Sequence, residues 1–94
     1  MLDLESIRAD IDQVDRDLVA LLERRMDLVT QVVAYKKENG KAILDQKREE
    51  VVLDKVASRV GDKAYEATIV ETFRSIMSHS RDFQKEQLEA RNEA

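Results

Sequence analysis

The sequence predicts an all-α fold of three helices per chain, long, short and medium in that order. Three observations predict it. The 94 residues include no proline and only two glycines, Gly40 and Gly61, so the chain is punctuated at two points. Between those points apolar residues recur at steps of three and four, the period of one face of a helix. With 43% apolar and 38% charged residues, the composition is that of a folded helical protein rather than a disordered or membrane chain. Residues 1–94 read as a single domain.

The first helix is carried by Leu4, Ile7, Ile11, Val14, Leu18 and Leu21, with Val29, Val32 and Val33 extending the stripe. Asp3 suits an N-cap and Asn39-Gly40 a stop, so this helix is expected over about 4–39. About 35 residues at 1.5 Å each make a rod of roughly 52 Å. A compact chain of this length has a radius of gyration of about 12 Å, so such a rod overshoots it and needs a partner chain to cover its stripe.

After GKAIL a second, highly charged helix is expected over about 45–59, with Val51, Val52, Leu53 and Val56 as its apolar content. After Gly61-Asp62 a third is expected over about 63–90, presenting Ile69, Val70, Phe73, Ile76 and Met77 on one face and fraying in the final RNEA. The acidic-basic alternation of QKEQLEA marks a solvated helical face. No internal repeat or low-complexity segment interrupts this plan.

Composition also excludes function classes. With no cysteine there is no disulfide framework and no thiolate metal site, and one histidine makes no histidine-based metal cluster within a chain. The N-terminal MLDLESIRADID mixes acidic with apolar residues, unlike a signal or transit peptide, and no apolar run approaches membrane length. A cytoplasmic protein is the expectation. A net charge of −4 argues against general nucleic-acid binding, so an anionic ligand must be held by a local cluster.

That cluster is visible as an anomaly in LLERRMDLVTQVVAYKK. Continuing the stripe by four from Leu21 lands on Arg25, and Lys36, eleven residues on, lies only about 20° further around the helix. Both cations point where the core points. Taken singly, each is expected to run its stem along the stripe and turn its head to water at the rim. On the third helix, however, the positions continuing Ile69, Phe73 and Ile76 are Ser80 and Gln84. Serine there allows close packing and glutamine near a helix end is often half exposed. Four polar residues on the inward faces of two helices are nonetheless how a bundle builds a ligand site in its core.

The second helix opens with Asp45-Gln46-Lys47-Arg48-Glu49. Asp45 is suited to an N-cap and the others to a solvated surface. Yet positions 45, 48 and 49 lie about one turn apart on one side, offering carboxylates for a hydroxyl and an arginine for a carboxylate. Arg8 adjoins the first stripe but precedes Arg25 by 17 residues, about 25 Å along one axis. It cannot serve the same site within one chain, whereas in an antiparallel pair of long helices it reaches the site of the partner. His79 falls off the apolar face and is read as exposed and incidental.

Together, Arg8, Arg25, Lys36, the run Asp45-x-x-Arg48-Glu49 and Ser80-x-x-x-Gln84 resemble, in identity and closely in spacing, the active-site set of the all-helical (AroQ-type) chorismate mutases. The resemblance runs from LESIRADIDQVD through IMSHSRDFQ. It implies an intertwined helical homodimer whose long first helices pair and whose two sites each borrow an arginine. It further implies that Arg25 and the partner's Arg8 hold the two carboxylates of chorismate, with Arg48 assisting. Lys36 and Gln84 would donate to the ether oxygen, Glu49 and Asp45 would accept from the ring hydroxyl, and Ser80 would line the pocket near a carboxylate.

The reaction so implied, chorismate to prephenate in the shikimate pathway to phenylalanine and tyrosine, breaks an ether C–O bond as a C–C bond forms within one molecule. It calls for no nucleophile, metal or cofactor, which fits a chain without cysteine and with one incidental histidine. Two other readings stand beside it. An isochorismate pyruvate lyase resembles the same fold and cationic pocket, but the lyases do not retain the Asp-x-x-Arg-Glu pattern that is intact here. A non-catalytic helical dimerisation module would let Arg25, Lys36 and Gln84 reach water. At this length direct feedback by phenylalanine or tyrosine is not expected, and control through a complex with another shikimate-pathway enzyme is left open.

Overall fold

Three α-helices and one 3-10 turn follow each other in a computed structural model that describes the backbone of residues 1–92 and the side-chain surroundings of residues 1–89. They are α1 (Leu4–Asn39), α2 (Gln46–Arg59), the 3-10 turn (Lys63–Tyr65) and α3 (Glu66–Asn92), and no strand occurs among the described residues. None of these helices is long and apolar enough to cross a membrane.

Both ends of α1 are closed as the sequence predicts. The Asp3 carboxylate accepts the Glu5 N–H at 3.2 Å, satisfying one of the free donors of the first turn. At the other end Gly40 adopts φ 62°, the left-handed region that glycine enters without a Cβ clash. The Lys36 carbonyl then accepts from Gly40 and, at 2.9 Å, from Lys41. Lys36 and Lys37 set positive charge against the negative end of the helix.

The second helix follows the sequence expectation and the start of the third departs from it. Asp45 stands one residue ahead of α2 as its N-cap, its carboxylate accepting the Arg48 N–H at 3.0 Å. The third helix does not begin at 63. Asp62 caps a separate turn by accepting from the Ala64 N–H at 3.0 Å, while Lys63 Nζ donates back to the Ala57 carbonyl at 2.9 Å and to Glu66 at 3.1 Å. These local bonds favour the tighter turn, and α3 follows from Glu66 to Asn92 rather than to about 90. The last two residues of the RNEA tail lie outside the described residues.

Helix α3 is the central element, packed on α2 and on the second half of α1. Its seam buries Val29, Val33, Val56 and Met77 together with Ser80 and Gln84. Four buried apolar side chains contribute about 1.5–3 kcal/mol each, a small sum against the conformational entropy of a chain this long. The first half of α1 is uncovered: Leu4, Ile11, Val14, Leu18 and Leu21 of the stripe all stand exposed. The dimensions are 58 × 28 × 15 Å, with a radius of gyration of 16.9 Å. The accessible surface is 7677 Å² for 10.9 kDa, roughly 2,000 Å² more than a compact monomer of that mass exposes.

Candidate active site

The covered half of α1, the first turn of α2 and the second half of α3 converge on a cavity of about 190 Å³. Arg25 and Lys36 reach it from α1, Asp45 from the cap of α2, Arg48 and Glu49 from its first turn, and Ser80 and Gln84 from α3. Val29, Val32, Ile43, Val52 and Met77 supply apolar wall between them. Seven of the eight residues singled out in the sequence thus share one cavity. It adjoins a wider groove of about 560 Å³ through Val32, Lys36, Asp45 and Arg48.

Geometry inside the cavity answers why charge interrupts the α1 stripe. Lys36 does not turn its head to water. Its Nζ donates to the Ile43 carbonyl at 2.6 Å and to Gln84 Oε1 at 3.3 Å. An ammonium has three donors, so one remains for a ligand oxygen. Gln84, only 7% exposed, passes the polarity on by donating from Nε2 to Ser80 Oγ at 3.4 Å. The Arg25 head also points inward: its Nη1 is fully buried with no hydrogen-bond partner. A buried donor left unsatisfied costs about 1–3 kcal/mol, and more when charged, so the free protein carries a penalty that an anion would relieve.

Glu49 is engaged as well. Its Oε1 accepts a charge-assisted hydrogen bond from Arg81 Nη1, across the interface between α2 and α3, with side-chain exposures of 24% for Glu49 and 32% for Arg81. Arg81 also lines the cavity and was not singled out in the sequence. A signal was present, since Arg81 continues the row Phe73, Met77 at steps of four, beside Ser80. Among the lining residues Arg25, Lys36, Arg48 and Arg81 carry +4 and Asp45 and Glu49 carry −2, for a formal sum of +2.

Arg8 does not line this cavity. It stands exposed on the uncovered half of α1. His79 is exposed, as expected.

A cationic cavity set into the seam of three helices, with amide and hydroxyl groups beside its charges, defines a class of helical protein whose pocket suits a small anionic molecule. The particular family is chorismate mutase type II, whose model matches residues 7–85, and the chain belongs to it. All eight candidate residues fall inside that span. The chorismate mutase of Methanocaldococcus jannaschii is 28% identical over 87 residues, covering 92% of this chain and 88% of the relative. The bifunctional chorismate mutase/prephenate dehydratase of Buchnera aphidicola is 36% identical over 56 residues, or 60% of this chain, which spans only 14% of that longer protein. No solved structure gives a significant match.

Proposed function

We propose that this chain is a chorismate mutase, an isomerase that converts chorismate to prephenate by restraining the substrate and stabilising charge in its transition state. The observation that carries the reading is the meeting of Lys36 and Gln84 at the wall of the cationic cavity. In the rearrangement, negative charge grows on the ether oxygen as its bond to the ring stretches. Donors already fixed at that oxygen stabilise the transition state more than the ground state, which is what lowers the barrier. Lys36 Nζ, with one donor free, is the first of them, and the Gln84 amide supplies the second once it turns. Gln84 turns its Oε1 to Lys36 in the free protein, and an amide rotation brings its N–H₂ to the ligand.

Arg25 and Arg48 hold substrate carboxylates, and holding them keeps the enolpyruvyl arm over the ring in the reactive conformation. The unpartnered Arg25 Nη1 supports this role, because it is a donor already desolvated and waiting for an acceptor. Glu49 and Asp45 accept from the ring hydroxyl, and Ser80 lines the pocket beside a carboxylate. The formal charge around the cavity, +2 from one chain and +3 once the partner's Arg8 joins it, suits a substrate dianion.

The active species in this reading is an intertwined homodimer, in which Arg8 of the partner subunit completes each site. Three features support it: the exposed stripe from Leu4 to Leu21, the surplus of exposed surface, and the separation of Arg8 from Arg25 along one rigid helix. The lyase and the non-catalytic module are less favoured, since the matched relatives carry mutase names and Arg25 and Lys36 turn inward. Prephenate formed here would feed phenylalanine and tyrosine synthesis. The test is turnover of chorismate to prephenate by the purified protein beside its Lys36→Ala variant. Two inactive but folded and dimeric proteins would sink the reading.

A further inference from the structure

We infer that Arg81 is a positioning residue that acts through Glu49, turning its carboxylate away from the cavity cations so that they stay free for the substrate. The inference rests on the chorismate mutase reading of the cavity. Glu49 shares the cavity wall with Arg25 and Lys36. A carboxylate among such groups is drawn to the nearest desolvated cation, and Arg25 Nη1 is buried without an acceptor. Pairing between Glu49 and Arg25 would satisfy both and neutralise the donor the substrate needs. No such pair forms in the free protein, where Glu49 Oε1 is held instead by Arg81 on α3.

The geometry also assigns the two oxygens of Glu49. Arg81 Nη1 engages Oε1, and among the described residues no protein donor engages Oε2. That second oxygen remains available to the ring hydroxyl. Arg81 further borders an outer groove with Glu49, Arg74 and Ser78, so the pair forms the partition between the cavity and that groove. One guanidinium therefore fixes the orientation of the hydroxyl acceptor and prevents the cavity from neutralising itself.

The test is a double-mutant cycle on kcat/KM for chorismate with the parent, Arg81→Met, Glu49→Gln and the double variant, each as the full chain in the dimeric form proposed above. Arg81→Met is expected to lower kcat/KM by about 10- to 100-fold, the scale of a charge-assisted hydrogen bond. The double variant should lose no more than the worse single variant, because both changes remove one device. Arg81→Lys should recover most of the loss. A chorismate analogue without the ring hydroxyl still needs the free cations, so it should lose turnover on Arg81→Met as well, by less than chorismate does because the hydroxyl contact is absent. Additive losses, an analogue unaffected by Arg81→Met, or a fully active Arg81→Met would overturn the role. Should Arg81→Met fail to fold, Arg81→Gln carries the same comparison. A parent that does not turn over chorismate sinks the reading of the whole cavity and this role with it; a competent parent with additive losses sinks the role of Arg81 alone.

Discussion

Lys36 on α1 and Gln84 on α3, 48 positions apart in sequence, meet at 3.3 Å with Lys36 Nζ donating to Gln84 Oε1. Each has a second partner, Lys36 the Ile43 carbonyl at 2.6 Å and Gln84 the Ser80 hydroxyl at 3.4 Å. The amide gives the ammonium an acceptor in a half-buried site, and the ammonium fixes the amide at the cavity wall. A free ammonium donor beside an amide that can turn a second donor to the same ligand oxygen is the physical content of a site for developing oxyanion charge.

Removing either donor tests that content. Lys36→Ala and Gln84→Ala are each expected to lower kcat by about 100-fold or more, the scale seen for loss of one preorganised donor to a developing oxyanion. KM should change much less. Lys36→Ala also frees the Ile43 carbonyl, so a fall in Tm of a few degrees is expected alongside. Steady-state kinetics and a thermal melt measure both effects, and unchanged kcat in either variant removes that residue from the ether oxygen.

The amide also makes a prediction about pH. Gln84 carries no titratable proton, so the parent should show no steep loss of kcat between about pH 5 and 7 while folded. Gln84→Glu donates only when its carboxyl is protonated, and an ordinary glutamate carboxyl titrates near pH 4.3. Its kcat should therefore rise as pH falls and collapse as pH rises, when a carboxylate faces the developing oxyanion. A Gln84→Glu profile that matches the parent would remove residue 84 from the reacting atoms.

What was legible in the sequence was what one helix repeats with itself. Asp3 and Gly40 close α1 through bonds within a few residues, and the inward direction of Arg25, Lys36, Ser80 and Gln84 follows from steps of three and four. What escaped depends on how helices meet. Arg81 stands beside Ser80 and reads as an ordinary surface cation until α2 brings Glu49 against it, 32 positions away. How deep the Arg25 head lies escaped too, because periodicity gives a direction and not the depth of the seam. The 3-10 turn escaped for a local reason. It is held by the side chains of Asp62 and Lys63, which compete with helical bonds and leave no mark on apolar period.

Arg25 separates function from stability. Its buried Nη1 has no acceptor, so replacing it with leucine removes an unsatisfied charge and adds apolar contact. Arg25→Leu is expected to raise stability by about 1–2 kcal/mol, a few degrees or more in Tm, while abolishing chorismate turnover. A non-catalytic dimer would gain the same stability with nothing to lose. Differential scanning calorimetry and the prephenate assay on one preparation decide it, and a less stable Arg25→Leu protein would mean that Nη1 finds a partner in the assembled molecule.

The origin of Arg8 is tested by mixing. In the proposed dimer each site takes Arg25 from one protomer and the partner's Arg8, so Arg8→Ala and Arg25→Ala homodimers should each be nearly inactive. After unfolding and refolding together in equal amounts, half the dimers are mixed. Each mixed dimer has one site with both arginines and one with neither, so activity should return to about a quarter of the parent value. If Arg8 served its own chain, every site in a mixed dimer would lack one arginine and nothing would return. Ile11→Glu supplies the control, because a charge within the exposed α1 stripe should dissociate the dimer and abolish turnover with Arg8, Arg25 and Lys36 all intact. A sedimentation measurement beside the assay distinguishes a lost arginine from a lost partner: recovery to about a quarter on mixing requires the site to be shared, and an active Ile11→Glu monomer would require it to be contained in one chain.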